Sequence, residues 1–135
     1  MEGFILKIVT PDGCAFNGEV KSLVVRTTEG EVGILRNHSN FVSTIAYGMV
    51  RITMPDGSVR AGACMNGFVS VSNNEVSVVA TTMEYADEID AARAARAKEK
   101  AERMLAEKKS GEDLLLAEMK LKRALNRLNV YQNYR

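Results

Sequence analysis

Two hydrophobic periodicities divide the chain. In its first part apolar positions recur every second residue: Phe4, Leu6 and Ile8 alternate with Ile5, Lys7 and Val9. A period of two sends successive side chains to opposite faces of a strand. Further short stretches rich in Val, Ile and Thr run over 20–28, 49–54, 58–64, 67–72 and 75–82. Between them stand Pro11-Asp12-Gly13, Glu29-Gly30, Pro55-Asp56-Gly57 and Asn73-Asn74, all turn formers. Pro55-Asp56-Gly57, flanked by alternating runs, is the strongest hairpin signal. Regularly spaced short strands of this kind predict an antiparallel sandwich or barrel.

After residue 86 the turn residues stop. Positions 87–109 hold no Gly, Pro, Val or Thr and are rich in Ala, Glu, Lys and Arg, all good helix formers. Asp87, Glu88 and Asp90 are expected in the first turn and Lys108 and Lys109 in the last, matching the helix dipole. Ser110-Gly111 breaks the pattern, and a second helix is expected over about 112–131. That helix carries a 3-4 spaced stripe of Leu114, Ala117, Leu121, Ala124, Leu128 and Tyr131, and the first repeats the spacing with Ala94, Ala97, Ala101 and Met104. Two such stripes around a two-residue break read as an antiparallel helical hairpin packed through small residues. Alanine seams bury little area, so at ~25 cal/mol per Å² each contact stabilises weakly, and the hairpin should be separable from its partners at modest cost. The predicted fold is mainly β plus α: an N-terminal antiparallel β-sandwich over 1–86 and a C-terminal two-helix hairpin over 87–135.

Composition narrows the function. At 135 residues, with 46% hydrophobic residues, the chain can bury a core, and a net charge of +1 gives no general attraction to nucleic acid or an anionic membrane. No apolar run approaches the ~18 residues of a membrane span, and Met1-Glu2-Gly3-Phe4 lacks the features of a signal peptide. A protein that stays in the cytoplasm, without direct membrane insertion, is expected. Cys14 and Cys64 are far apart, and His38 is the single histidine, so a zinc site is not expected; neither is a tightly bound metal or redox cofactor. His38 beside Ser39 is read as a structural or interface residue, because sequence neighbours do not make a nucleophile–base pair. Met49, Met54, Met65 and Met83 are read as core or interface fillers, and Phe41 and Val42 as either core or contact surface. A small enzyme would need a convergent acid, base or nucleophile set, and none is visible. An adaptor with a coiled-coil tail would need a longer heptad, uninterrupted by Ser110-Gly111.

Several segments together resemble the epsilon subunits of bacterial rotary (F-type) ATP synthases. These are Gly18-Glu19-Val20, Val24-Val25, the run Thr28-Glu29-Gly30-Glu31-Val32-Gly33-Ile34-Leu35 with His38, then Gly67-Phe68-Val69-Ser70-Val71, Val76-Ser77-Val78-Val79-Ala80, and Glu84 through Asp90. Their order and spacing span nearly the whole chain. Arg36 and Asn40 stand where the family usually has proline, so that loop is expected to be less constrained. The resemblance implies a ten-stranded sandwich at the foot of the central stalk. Its partners would be the gamma subunit, the c subunits of the rotor ring, and the alpha and beta catalytic-head subunits when the hairpin extends. It implies no catalysis by the chain itself, a place at the cytoplasmic face of the cell membrane as a peripheral component of a proton-transporting complex, and inhibition of ATP hydrolysis by the extended hairpin.

Some family members bind ATP in the folded hairpin through a motif of the form Ile/Leu-Asp-x-x-Arg-Ala. This chain has Ile89-Asp90-Ala91-Ala92-Arg93-Ala94. The resemblance extends the set to Glu84, Arg123 and Arg127, with Lys100 where an arginine is frequent. Lysine keeps the charge and loses the bidentate fork. ATP as a regulatory ligand is therefore the implied cofactor. On physical grounds Lys120, Arg123 and Arg127 share one stripe of the second helix. Folding the hairpin would bring that stripe near Arg93 and Lys100 as a cationic cluster suited to a triphosphate. Asp90 would either accept from the adenine amino group or orient Arg93. Without a Walker motif no hydrolytic site is expected. From Met119 to Arg135 there are five basic residues (Lys120, Lys122, Arg123, Arg127, Arg135) and no acids, a face suited to an acidic partner or to solvent.

Overall fold

The computed structural model describes residues 3–107 and 110–134; Lys108, Lys109 and Arg135, which figure in the charge patterns above, lie outside them, as does the Met1-Glu2 start. Seven strands come first: β1 (Phe4–Thr10), β2 (Gly13–Val20), β3 (Ser22–Thr27), β4 (Gly30–Ile34), β5 (Phe41–Thr53), β6 (Val59–Ser72) and β7 (Glu75–Tyr85). They pair in the order β2-β1-β7-β6-β5-β3-β4. Every pairing is antiparallel except β1 with β7.

The register shows how one ladder makes two layers. β1 pairs only with the first half of β7, from Glu75 to Val79, while β3 pairs only with the last residues of β5, from Val50 to Thr53. Between these regions both central ladders skip a row: β5 to β6 between Ile45↔Gly67 and Tyr47↔Met65, and β6 to β7 between Gly67↔Ala80 and Met65↔Thr82. At this row Asn66 has φ 53, and Thr81 Oγ1 donates to its carbonyl at 2.9 Å. There β5, β6 and β7 pass from one layer to the other, as bulged corner strands do. The resemblance implied ten strands; seven are present, three of them long and irregular at this row. The sequence could not separate the two counts, because nothing in its alternation marks a strand that changes layers.

Side chains from both layers fill one core, with Leu6, Ile8, Val76 and Val78 from one side and Leu23, Val25, Val50 and Ile52 from the other. Alternation is clean in β1 and lost in β6, where Ala61, Gly62, Ala63, Cys64 and Met65 are all buried. Cys64 belongs to the sandwich core and Ala63 to a second cluster with Met49, Ala86, Ile89 and Val130. Both faces of β6 are therefore covered, the outer one by a helix. Phe41 packs against the sandwich core, whereas Val42 is 70% exposed. The loop at Arg36 and Asn40 is tied down despite its missing prolines. Asn37 N donates to Asn74 Oδ1 at 2.8 Å, and Asn73 N donates to Asn40 Oδ1 at 3.2 Å. His38 lies in the same loop, its Nδ1 on the Ser39 carbonyl at 2.8 Å and its ring against Phe41.

The first helix starts later than the composition predicts. Residues Ala86–Glu88 form one 3-10 turn, and Glu88 Oε1 accepts from Tyr85 N at 3.1 Å. Asp90 is extended, and its Oδ1 accepts from Arg93 N at 3.0 Å, so α1 runs Ala91–Ala106. All three acids thus precede the helix: Asp90 caps α1, satisfying an N–H group that has no partner within it, and Glu88 closes the 3-10 turn before it. Helix α2 runs Gly111–Tyr134, three residues beyond the heptad pattern. Its end is held by Tyr134, whose hydroxyl accepts from Arg51 Nη1 at 3.4 Å.

Candidate functional site

The two helices meet through alanine. Ala94 and Ala101 of α1 and Ala117 and Ala124 of α2 are buried, and small side chains let the axes approach. Ala97, expected in the same seam, is exposed because a cleft opens above it. The cleft has a volume of about 260 Å³, and Ala94, Ala97, Ala101 and Ala124 line it with methyl groups. Five cations stand around it: Arg93 and Lys100 from α1, Lys120, Arg123 and Arg127 from α2. No carboxylate lines it among the described residues. Arg93 and Lys100 are seven residues apart, as are Lys120 and Arg127, which is about 10 Å along each helix. Like charges held this close destabilise one another, and an anion seated among them relieves that repulsion.

Of the sequence-derived candidates, Arg93, Ala94, Lys100, Arg123 and Arg127 come together at this cleft. Glu84 approaches from β7. Its Oε1 lies 3.0 Å from Arg127 Nε, and both atoms are shielded from water, yet the N–H does not aim at the oxygen, so the contact is an ion pair without hydrogen-bond geometry. The remaining two are elsewhere. Ile89 is buried between helix and sheet, and Asp90 spends a carboxylate oxygen capping α1. That cap on the backbone of Arg93 is neither of the two roles, toward an adenine amino group or toward the Arg93 side chain, that the sequence left open.

One determinant had no prediction. Asn126 sits one helical position before Arg127, off the heptad stripe, and is buried against the sheet at 5% exposure. Its Oδ1 accepts from Arg26 Nη2 at 2.5 Å, and its Nδ2 donates to the Gly48 carbonyl at 2.9 Å. Gly48 itself sits tight against its neighbours: a Cβ there would lie 2.6 Å from the Arg26 carbonyl oxygen. With Val130 and Tyr134, Asn126 marks a second face of α2 that docks on β5 and β6. The signal available was a 4-4 spacing, 126-130-134, beside the heptad.

Sequence comparison decides the family. The family described as ATP synthase, Delta/Epsilon chain, beta-sandwich domain matches residues 3–86, and that described as ATP synthase, Delta/Epsilon chain, long alpha-helix domain matches residues 87–132. The chain belongs to the ATP synthase epsilon family. An ATP synthase epsilon chain from Ruminococcus albus is 41% identical over 131 residues, covering 96% of this chain and 97% of the relative. That from Ligilactobacillus salivarius is 39% identical over 128 residues, covering 93% and 92%. The epsilon fold also recurs in a chain of the Euglena gracilis mitochondrial ATP synthase, solved as its OSCP/F1/c-ring assembly. The TM-score is 0.88 at 22% identity, over 98% of this chain and 83% of that one. As an epsilon chain, it is a subunit of the complex and not one of its catalytic subunits.

Proposed function

We propose that this epsilon subunit couples the catalytic head to the rotor ring without doing chemistry itself, and that its hairpin regulates ATP hydrolysis, sensing ATP when folded. The observation that carries the sensing role is the acid-free cationic cleft between α1 and α2. It exists only while the two helices lie side by side. Any ligand bound there stabilises the folded hairpin by RT ln(1 + [L]/Kd), about 2.7 kcal/mol at a hundredfold excess over Kd. Arg93, Lys100, Arg123 and Arg127 would hold the phosphates, with Lys120 beside them. The alanine floor offers an apolar surface to the base.

The partners proposed for the sandwich are the gamma subunit and the rotor-ring c subunits, and those for the extended hairpin are the alpha and beta subunits. A peripheral place at the cytoplasmic face of the cell membrane, in a proton-transporting enzyme, goes with this reading. No described helix is long and apolar enough to cross a membrane. Calorimetric titration with ATP tests the sensing role. Arg93→Ala should abolish or strongly weaken binding, while Arg96→Ala, on an exposed position away from the cleft, should leave it nearly intact; equal losses would reduce the site to general electrostatics. For inhibition, ATP synthase assembled with a chain lacking residues 87–135 should hydrolyse ATP faster than the intact enzyme. An unchanged rate under latent conditions would remove the inhibitory role.

A further inference from the structure

Helix α2 is longer than the surface that supports it. Its 24 residues span about 36 Å, yet the side chains that meet the sheet, Asn126, Val130 and Tyr134, all lie toward its C-terminal end. Positions four, seven and eleven residues before Asn126 share its face of the helix. They are Lys122, Met119 and Leu115, and one more turn reaches Glu112. All four are exposed, Leu115 at 58% and Met119 at 39%. Leu116 and Leu125, exposed as well, flank the line. The docking face of α2 thus runs on past the sheet as an uncovered apolar stripe with a charge at each end. Where the sheet stops, Arg26 and Tyr47 border an open groove with Lys122 and Leu125, and among the described residues no carboxylate lines it.

We propose that this stripe pairs with the same stripe of a second copy of the chain, the two α2 helices running antiparallel about a two-fold axis at the level of Ala117. The spacing is what a two-fold requires. Glu112, Leu115, Met119 and Lys122 are set 3-4-3 apart, so reversing the helix lays Glu112 on Lys122 and Leu115 on Met119. In a symmetric contact residue i meets j and j meets i. Antiparallel pairing therefore seats each leucine against a methionine of the other copy and each glutamate against a lysine. Parallel pairing would set Glu112 against Glu112 and Lys122 against Lys122, which costs energy at both ends. The same 3-4-3 spacing is that of helices packed along a seam. The charges at both ends are available, since among the described residues neither Glu112 nor Lys122 forms an ion pair within the chain. The second helix begins where the sheet ends, so Glu112 of the second copy arrives at the groove that holds Lys122 and Arg26. With four residues a side and flanking leucines the contact is small, and a Kd of about 10–500 µM is expected.

The test is sedimentation equilibrium of the full chain from about 5 to 1,000 µM, a range that brackets the expected Kd. The native chain should pass reversibly from monomer to dimer, and less readily as salt rises. Met119→Glu, which places a charge in the middle of the seam, should leave only monomer. Lys122→Glu sets glutamate against Glu112 at both ends and should weaken pairing at least about fivefold. Exchanging both charges, Glu112→Lys with Lys122→Glu, restores opposite signs and should recover most of that loss. Because Glu112→Lys also opposes the dipole at the start of α2, recovery is judged against Lys122→Glu, with circular dichroism to verify helix content. A monomer at every concentration, or a dimer indifferent to Met119→Glu, overturns the pairing and leaves the stripe to another subunit of the complex. A double exchange no tighter than Lys122→Glu alone overturns the antiparallel register.

Discussion

Replacing Asn126 with alanine separates the docking of α2 from the folding of the sandwich. The side chain makes two bonds to the sheet, accepting from the charged Arg26 and donating to the Gly48 carbonyl. A bond from a charged donor contributes about 1.5–3 kcal/mol and a neutral one about 0.5–1.5 kcal/mol. Alanine removes both and leaves the Gly48 oxygen facing a methyl group beneath the helix. Arg26 fares better, because it borders an open groove with Tyr47, Lys122 and Leu125, where water can solvate its guanidinium. The expected net loss is about 2–4 kcal/mol. That equals or exceeds the burial of Val130, the largest fully covered aliphatic side chain of α2, at about 1.5–3 kcal/mol. Native-state hydrogen exchange reads the effect locally. Amides of α2 should exchange about 30- to 1,000-fold faster, while those of β1 and β7 stay as they were. A cycle with Arg26→Ala should give a coupling of about 1–3 kcal/mol. Acceleration of less than about threefold would mean that hydration of the separated groups matches the pair. Equal acceleration in β1 would mean that hairpin and sandwich open as one unit.

Three further outcomes follow from single sites. Gly67→Ala should lower stability by at least ~2 kcal/mol in chemical denaturation, since a Cβ there would lie 1.8 Å from the Val79 carbonyl oxygen at the corner between the layers; a loss below ~0.5 kcal/mol would mean that the corner yields freely. Asp90→Asn should keep the α1 cap and Asp90→Ala should lose about 1 kcal/mol of helix stability, read by circular dichroism melting; an equal loss in both would assign the effect to charge. Iodoacetamide at pH 8 should label exposed Cys14 and spare buried Cys64, whose thiol burial pushes up to about 12. Because the folded state holds that proton while the unfolded chain releases it near 9.0, stability should fall as pH rises from 9.0 toward 12, by at most ~1.4 kcal/mol per unit, and Tyr85, also raised by burial, adds to the loss above 10.0. Rising stability across that window would contradict the burial of both groups.

The elements most legible in the sequence are those whose order comes from local chemistry. The alternation of Phe4, Leu6 and Ile8, the Pro55-Asp56-Gly57 turn and the Ala-Leu heptad of α2 each state a backbone conformation within a few residues. The turn is stabilised as expected, with Gly57 at φ 89 and Asp56 Oδ1 accepting from Ser58 N at 2.9 Å. What escaped depends on partners far along the chain. The corner through Asn66 exists because Thr81 meets it from the next strand, and the burial of both faces of 61–65 exists because α2 covers one of them. At the cleft, the cationic stripe was visible from spacing alone, but the opening that exposes Ala97 was not. Asn126 drew no reading from the sequence, since only Arg26 and Gly48, 100 and 78 residues away, give it a role.

The way the hairpin is attached limits how a ligand could act on it. The second helix alone carries the docking face of Asn126, Val130 and Tyr134, while α1 leans on α2 through alanines and is anchored at its start by Ile89 and the Asp90 cap. A ligand in the cleft therefore ties α1 to α2 and does not, by that contact, tie α2 to the sheet. The exception is Glu84, which among the described residues of the sandwich is the one that pairs with a cleft cation. The pair engages Nε, and a guanidinium carries four further N–H donors on its two Nη atoms, so Arg127 can meet a phosphate without surrendering Glu84. Occupancy can thus strengthen the helix pair and the sheet contact together. Glu84→Gln should then leave the ligand-free hairpin docked through Asn126 while reducing how much ATP protects α2 from exchange. If ATP protects α2 equally in that variant, the cleft and the sheet are coupled only through helix packing.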